Sequence, residues 1–176
     1  FLFDSTAPAA NITTAFQLGV PSAFTNGLTY IPTMIFAGDD SDPGFTSGIA
    51  GGGAGVKNTG VGWHQGKVQT HILRDEADIY GAGPVPFLAS NCAVTDYAWD
   101  GSTWTLVSAL GGCALAGRRW VDVTDQPSEI GWQQASVNNS TIKWVKGKKY
   151  VVYVRAIDNA GNIMADADIA AGPKIQ

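Results

Sequence analysis

Lys148–Asn162 reads KKYVVYVRAIDNAGN, and its alternation decides the fold class. Val152, Val154 and Ala156 fall on one face of an extended segment and Tyr153, Arg155 and Ile157 on the other, so one face is small and apolar and the other mixed. That is the pattern of a half-buried β-strand. Tyr150 opens the strand and Asp158–Asn162 closes it, because Asp and Asn side chains hydrogen-bond their own backbone and Gly161 tolerates positive φ. A long strand closed by a tight turn near the C-terminus predicts the last hairpin of a β-sandwich.

The rest of the chain repeats the pattern in shorter pieces. Lys67–Leu73 (KVQTHIL) sets Val68, Thr70 and Ile72 against Gln69, His71 and Leu73, as a central strand would. Asn11–Phe16 reads as the first strand and Thr29–Ala37 as the second, with Pro32 at an edge or bulge and a break at Asp39–Gly44. Ile79–Tyr80 and Val85–Leu88 are shorter pieces, and Arg119–Thr124, Gln133–Val137 and Thr141–Trp144 read as strands joined by turns at Gln126–Ser128 and Val145–Lys148. Cys92–Asp100 and Ser102–Ala109 flank Asp100–Gly101, the dipeptide of a two-residue hairpin turn, which places Trp99 and Trp104 near each other. No stretch has a helical period. Pro43–Gly62 is mostly Gly, Ala and Ser, with too little apolar side chain to pack, and reads as a surface loop or as a loop docked on a neighbouring molecule.

Three motifs carry a family resemblance. Gly147–Tyr150 with Val154–Asn162, the opening Phe3-Asp4-Ser5-Thr6-Ala7-Pro8, and Tyr97–Trp104 (YAWDGSTW) resemble the closing strand, the inter-repeat junction and the central hairpin of bacterial immunoglobulin-like repeats, which occur in tandem in large secreted and surface proteins. They span both ends and the middle of the chain in the family's order. The Gly-rich stretch 43–62 and the cysteine segment 84–117 depart from the pattern. The resemblance implies an all-β, immunoglobulin-like sandwich, here with a Gly-rich loop insertion and a disulfide-braced hairpin. Residues 1–8 would form a junction and N-terminal strand docking on a neighbouring unit, and 9–176 a single sandwich.

With 176 residues the length favours one domain with a substantial core. Only 15% of residues are charged and 22 are glycine, which suits a turn-rich extracellular or cell-surface β-protein. The net charge of −4 includes no basic run, so nucleic acid is not an expected partner. No apolar run approaches the roughly 20 residues of a membrane span, and no charged-then-apolar leader is present. The chain begins at Phe1 without Met, and the expectation is a processed or excised piece. Joining one copy's tail, Lys174-Ile175-Gln176, to the next copy's head, Phe1-Leu2-Phe3, gives KIQFLFDSTAP, a strand followed by the junction. Copies of the chain are therefore the expected partners, through a covalent array or strand donation; the alternative is that the head packs on its own domain or frays.

Chemistry-bearing residues are few. Cys92 and Cys113 read as one disulfide bracing the hairpin, with a metal site as the alternative, although neither has a second Cys or His at ligand spacing. No Gly-x-Ser-x-Gly elbow or phosphate-binding loop is present, His71 reads as a packed or half-exposed strand residue rather than a base, and His64 borders the Gly-rich loop. Asp75, Glu76 and Asp78 read as a solvated charged turn rather than an acid and base pair, so no enzyme is expected. For calcium, Asp39, Asp40 and Asp42 offer hard oxygens in a turn, and Asp4, Asp158 and Asn159 are placed to gather at a sandwich end; capped turns are the alternative. The resemblance adds that such junctions are often stiffened by calcium. Asn11, Asn138 and Asn139 match the N-glycosylation acceptor pattern, a place for a glycan. Six tryptophans leave an adhesin or carbohydrate-binding reading beside the structural one, a repeating subunit of an extracellular filament, stalk or array.

Overall fold

The computed structural model describes residues 7–12, 14–17, 20–23, 35–41, 67–76, 86–88, 92–114, 119–123, 125–128, 131–134, 142–145, 147–158, 161–169 and 174–175. Among these the chain is all-β. Its strands are β1 (Ala9–Ala10), β2 (Thr14–Gln17), β3 (Val20–Ala23), β4 (Ile35–Ser41), β5 (Lys67–Asp75), β6 (Tyr97–Trp99), β7 (Trp104–Leu106), β8 (Val121–Asp122), β9 (Asp125–Ser128), β10 (Gly131–Gln134), β11 (Lys149–Ile157) and β12 (Lys174–Ile175). All pairing is antiparallel. One sheet runs β3-β2-β4-β10-β9 with β1 also on β4, and the other runs β12-β11-β5-β6-β7 with β8 also on β5.

The longest pairing joins the two segments with the clearest alternation. β5 and β11 match residue for residue from Lys149 opposite Asp75 to Ile157 opposite Lys67. Side chains alternate across a strand, so Val68 and Ile72 share one face with Tyr150, Val152, Val154 and Ala156, and Leu73 shares the other with Val151 and Tyr153. Both faces are covered. The first also holds Ala10 of β1, Trp99, Val123 and Ile142, while the second holds Phe87, Ala98, Val107, Met164 and Ile169. β11 is thus buried on both sides, where its composition predicts a half-buried strand; Val152 and Tyr153 are both fully inaccessible. The second cover is built largely from irregular segments (86–88, 107–113, 119–120 and 163–169), which carry no period of their own and which we call the second layer.

Several boundaries differ from expectation for physical reasons. β4 runs through Asp39 and Asp40 to Ser41, because β10 pairs with it on one side and β2 and β1 on the other, and this pairing outweighs the low strand propensity of Asp. β3 and β9 hold Pro21 and Pro127, so 20–23 carries no strand signal and 126–128 reads as a turn; among the described residues both are outermost strands of the first sheet, where proline is tolerated. Residues 142–145 are irregular rather than a strand, yet Ile142 is buried in the first cluster. Residues 86–88 are likewise irregular. The segment after β7 turns into a 3-10 turn at Val107–Leu110, ended by Gly111 and Gly112 at positive φ.

The β6–β7 hairpin closes with four residues, not two. Trp99 pairs with Trp104, their rings 5.3 Å apart, and Asp100–Thr103 form the loop. The cause is the Asp100 carboxylate: Oδ1 accepts from the Ser102 and Thr103 amides at 2.8 and 2.7 Å and from the Ser102 hydroxyl, while Oδ2 accepts from the Thr105 hydroxyl at 2.8 Å. Desolvation raises the pKa of this carboxyl, but the Thr103 and Ser102 amides and the Thr105 and Ser102 hydroxyls outweigh it and hold it well below the usual carboxylate range. A carboxyl depressed by folding contributes stability above its unfolded value near 3.9 and loses it as pH falls below that value. Asp100→Ala is therefore expected to cost about 1 kcal/mol at neutral pH, kept small by solvent screening of this part-exposed loop, and to flatten the acid limb of the stability curve below about pH 4. Urea melts of both proteins from neutral to acid pH check this; parallel acid limbs would remove the role given to the carboxylate.

Candidate functional site

The sheet margin at the C-terminal hairpin is where the expected coupling strand lies. Asp158 Oδ1 accepts from the Asn162 amide and Oδ2 from the Asn162 side-chain amide, both at 2.8 Å, and the chain then returns through an Ile157–Ile163 bridge and a Met164 N–H to Ala156 carbonyl bond. From that bridge to the Tyr150–Ile175 pair, β11 spends 157 − 150 = 7 steps and the returning chain 175 − 163 = 12, an excess of 5. Part of the excess is a 3-10 turn at Asp166–Asp168, after which Ile169 enters the second core cluster. The tail then rejoins as β12, with Lys174 opposite Val151 and Ile175 opposite Tyr150. Among the described residues, Lys174 and Ile175 therefore form an edge strand of their own chain's second sheet. Phe1, Leu2, Phe3 and Gln176 lie outside the described residues.

The disulfide joins Cys92 to Cys113, with Cα atoms 5.7 Å apart, so the metal-site alternative for these cysteines is excluded. Both half-cystines pack with Leu110 and Trp120 against the second cluster. Beside them Asp96, fully inaccessible, accepts the Glu76 amide at Oδ1 (3.0 Å) and the Ala93 amide at Oδ2 (2.8 Å), while its carbonyl accepts the Val107 amide. It ties the end of β5 to the cystine segment and the 3-10 turn. The Ala93 contact is local, three positions away, but nothing in the spacing signals the tie to Glu76, twenty positions away.

Under the same layer lies a polar and aromatic run. Arg155 Nε and Nη2 donate to Gln69 Oε1 at 2.9 and 2.8 Å, Gln69 Nε2 donates to Asp122 Oδ1 at 2.7 Å, and the guanidinium sits 4.3 Å from the Trp120 ring centre. Burial pushes the Arg155 guanidinium below its ordinary value, opposed by Asp166 and Asp122. Of the packed and half-exposed alternatives for His71, the structure shows the packed one. His64 lies outside the described residues. The 75–78 segment is not a solvated turn as far as it is described: Asp75 is buried at the end of β5, and Glu76 receives Lys148 Nζ and Arg74 Nε, the latter at 2.6 Å. The Lys148 hydrogen bond, working against burial and helped by Arg74, holds the Glu76 carboxyl below its ordinary value. Asp78 lies outside the described residues.

The indoles divide between the two faces. Trp99 is buried, and Trp104 and Trp144 are half-buried around Tyr150, with ring centres 5.3 and 4.7 Å from it. Arg74 lies 4.2 Å from the Tyr97 ring centre and 5.5 Å from that of Trp104. Trp104 Nε1 donates to the Lys143 carbonyl, and Tyr150 Oη both donates to the Val145 carbonyl and accepts its amide, closing the Val145–Lys148 turn. Trp120 packs on Phe87 and His71. Trp63 lies outside the described residues; of Trp132 the backbone is described, in β10.

The residues expected for calcium are placed only in part. Asp39 and Asp40 stand in β4, opposite Gly131 and Ala10, rather than in a turn. Asp158 has each carboxylate oxygen engaged by Asn162, in the manner of a capped turn. Asp4, Asp42 and Asn159 lie outside the described residues, and among the described ones no three His, Cys, Asp or Glu side chains gather in a way that would hold a metal ion. Of the acceptor asparagines, Asn11 is exposed beside β1; Asn138 and Asn139 lie outside the described residues. The Gly-rich loop at 43–62 lies outside them too. Among the described residues no helix is long and apolar enough to cross a membrane. No protein-family model, curated protein or solved structure matches the chain.

Proposed function

We propose that the chain is an immunoglobulin-like β-sandwich acting as the repeating structural unit of an extracellular filament, stalk or surface array, without catalysis of its own. The observation that carries this reading is the position of β12. The tail forms an edge strand against β11, itself buried on both faces and paired over nine residues with β5, so tension applied at Lys174–Ile175 passes directly into the best-buried part of the sheet. An edge strand also presents backbone donors and acceptors on which a second copy's strand can pair. In this reading the apolar Phe1-Leu2-Phe3 head of one copy covers the margin of the next.

Three further features support it. Ala10 of the first sheet packs in one cluster with Val152 and Val154 of the second, as facing sheets of a sandwich would. A disulfide fits an oxidising, extracellular setting. The motif order along the sequence agrees with the repeat family. An adhesin or carbohydrate-binding role stands on less, since Trp99, Trp104, Trp120 and Trp144 all pack against the core clusters.

The test is assembly. The full chain is expected to form oligomers that grow with concentration in light scattering and end-to-end particles in electron micrographs. A Phe1→Ser, Phe3→Ser variant should keep its melting temperature and lose assembly. A monodisperse monomer at high concentration would remove the proposal, as would assembly unchanged in the variant.

A further inference from the structure

We propose that Asn11 is the acceptor of an N-linked glycan, carried beside the first sheet and directed away from the core. Asn11, Ile12 and Thr13 form the acceptor triplet, with a middle residue other than proline. The described residues of this stretch alternate in burial. Ala10 belongs to the first core cluster and Ile12 packs against it, while Asn11 between them is exposed. Such alternation is that of an extended segment, and the two apolar neighbours aim the Asn11 amide outward. A saccharide attached there displaces no core side chain.

The ladder is also interrupted at this point. β1 sets Ala10 opposite Asp40 and β2 sets Thr14 opposite Ala37, so the chain spends 14 − 10 = 4 steps where β4 spends 40 − 37 = 3. One residue more than the pairing needs is the signature of a bulge, which takes backbone out of the regular ladder and re-aims a side chain. Asn11 and Ile12 belong to neither strand, so a transferase can close on the acceptor without pulling a strand from the sheet. The Cys92–Cys113 disulfide fits the oxidising, secretory setting in which this modification is made.

The reaction is a substitution without oxidation or reduction. Asn11 Nδ2 forms a bond to the anomeric carbon of an oligosaccharide carried on a polyprenyl diphosphate. The bond from that carbon to the diphosphate oxygen breaks, its electron pair leaves with the diphosphate, and one amide proton passes to a base of the transferase. The product is a bulky, hydrated group on an outward-facing position. Occupancy of Asn11 requires passage through a secretory route but not the coupling of copies, so it stands or falls apart from the assembly test.

Peptide mapping of the full chain isolated from the cells that make it decides the matter. Trypsin cuts after Lys57, Arg119 and Lys143, so a sugar on Asn138 or Asn139 falls in a different peptide from one on Asn11. Peptide-N-glycosidase in heavy-oxygen water converts an occupied asparagine to labelled aspartate. Label is expected in peptide 1–57, located by fragmentation at Asn11 rather than Asn26. A native chain with Asn11 wholly unlabelled would overturn the assignment. Thr13→Ala, made in the same cells, should abolish the label with Asn11 still in place, and Thr13→Ser should retain it. Label persisting in T13A refutes the acceptor triplet, and should T13A not be recovered, the wild-type map alone decides.

Discussion

Replacing Asp96 by alanine is expected to cost about 4 kcal/mol, the largest effect of any single polar substitution we anticipate. The carboxylate is inaccessible and accepts two backbone amides, those of Glu76 and Ala93. A hydrogen bond to a charged group contributes roughly 1.5–3 kcal/mol, and its removal leaves each buried donor without its partner. For a chain of this length the melting temperature should fall by roughly 10 °C. Asp96→Asn separates charge from shape, because one side of the amide keeps an acceptor while its NH2 must oppose the other backbone donor; about half the loss is expected. Thermal and urea melts of the three proteins decide the matter, and an alanine variant within about 1 kcal/mol of wild type would contradict the role assigned to this residue.

Removal of the disulfide should follow closely, at about 3 kcal/mol. Cys92 and Cys113 are 21 positions apart, and closing a loop of that size restricts the unfolded chain by about this amount. The cystine also presses Leu110 and Trp120 onto the second cluster, so the Cys92→Ser, Cys113→Ser variant should redden and quench part of the tryptophan emission as well as melt roughly 8 °C lower. Melting with and without reductant checks the wild type; identical curves with complete reduction would refute it. Because Asp96 and the cystine hold the same segment, through Val107 N–H to Asp96 O and Ser108 N–H to Val94 O, the combined variant should lose less than the two losses added.

What was legible in the chain follows from where the information lies. β5 and β11 could be read because each carries its own period of two, and the Asp158–Asn162 turn because its side chains bond their own backbone. The cysteine pair could be read because the hairpin between them is signalled locally, even though Asp100 enlarges its loop by capturing two amides. The double-sided burial of β11 could not: Tyr153 and Arg155 suit a wet face equally well until Phe87 and Trp120 cover them. The Asp96–Glu76 tie and the Arg155–Gln69–Asp122 run were silent for the same reason, since these partners are distant in sequence. Asp39 and Asp40 misled in the opposite sense, local composition announcing a turn where pairing on both sides makes a strand.

The prolines at the two flanks of the first sheet carry an implication for growth. Pro21 in β3 and Pro127 in β9 each remove a donor from a strand that is outermost among the described residues, which makes these two rims poor templates for lateral stacking. In the proposed assembly, side-by-side accretion into mats would thereby be discouraged, and growth is expected to lengthen a thread without branching.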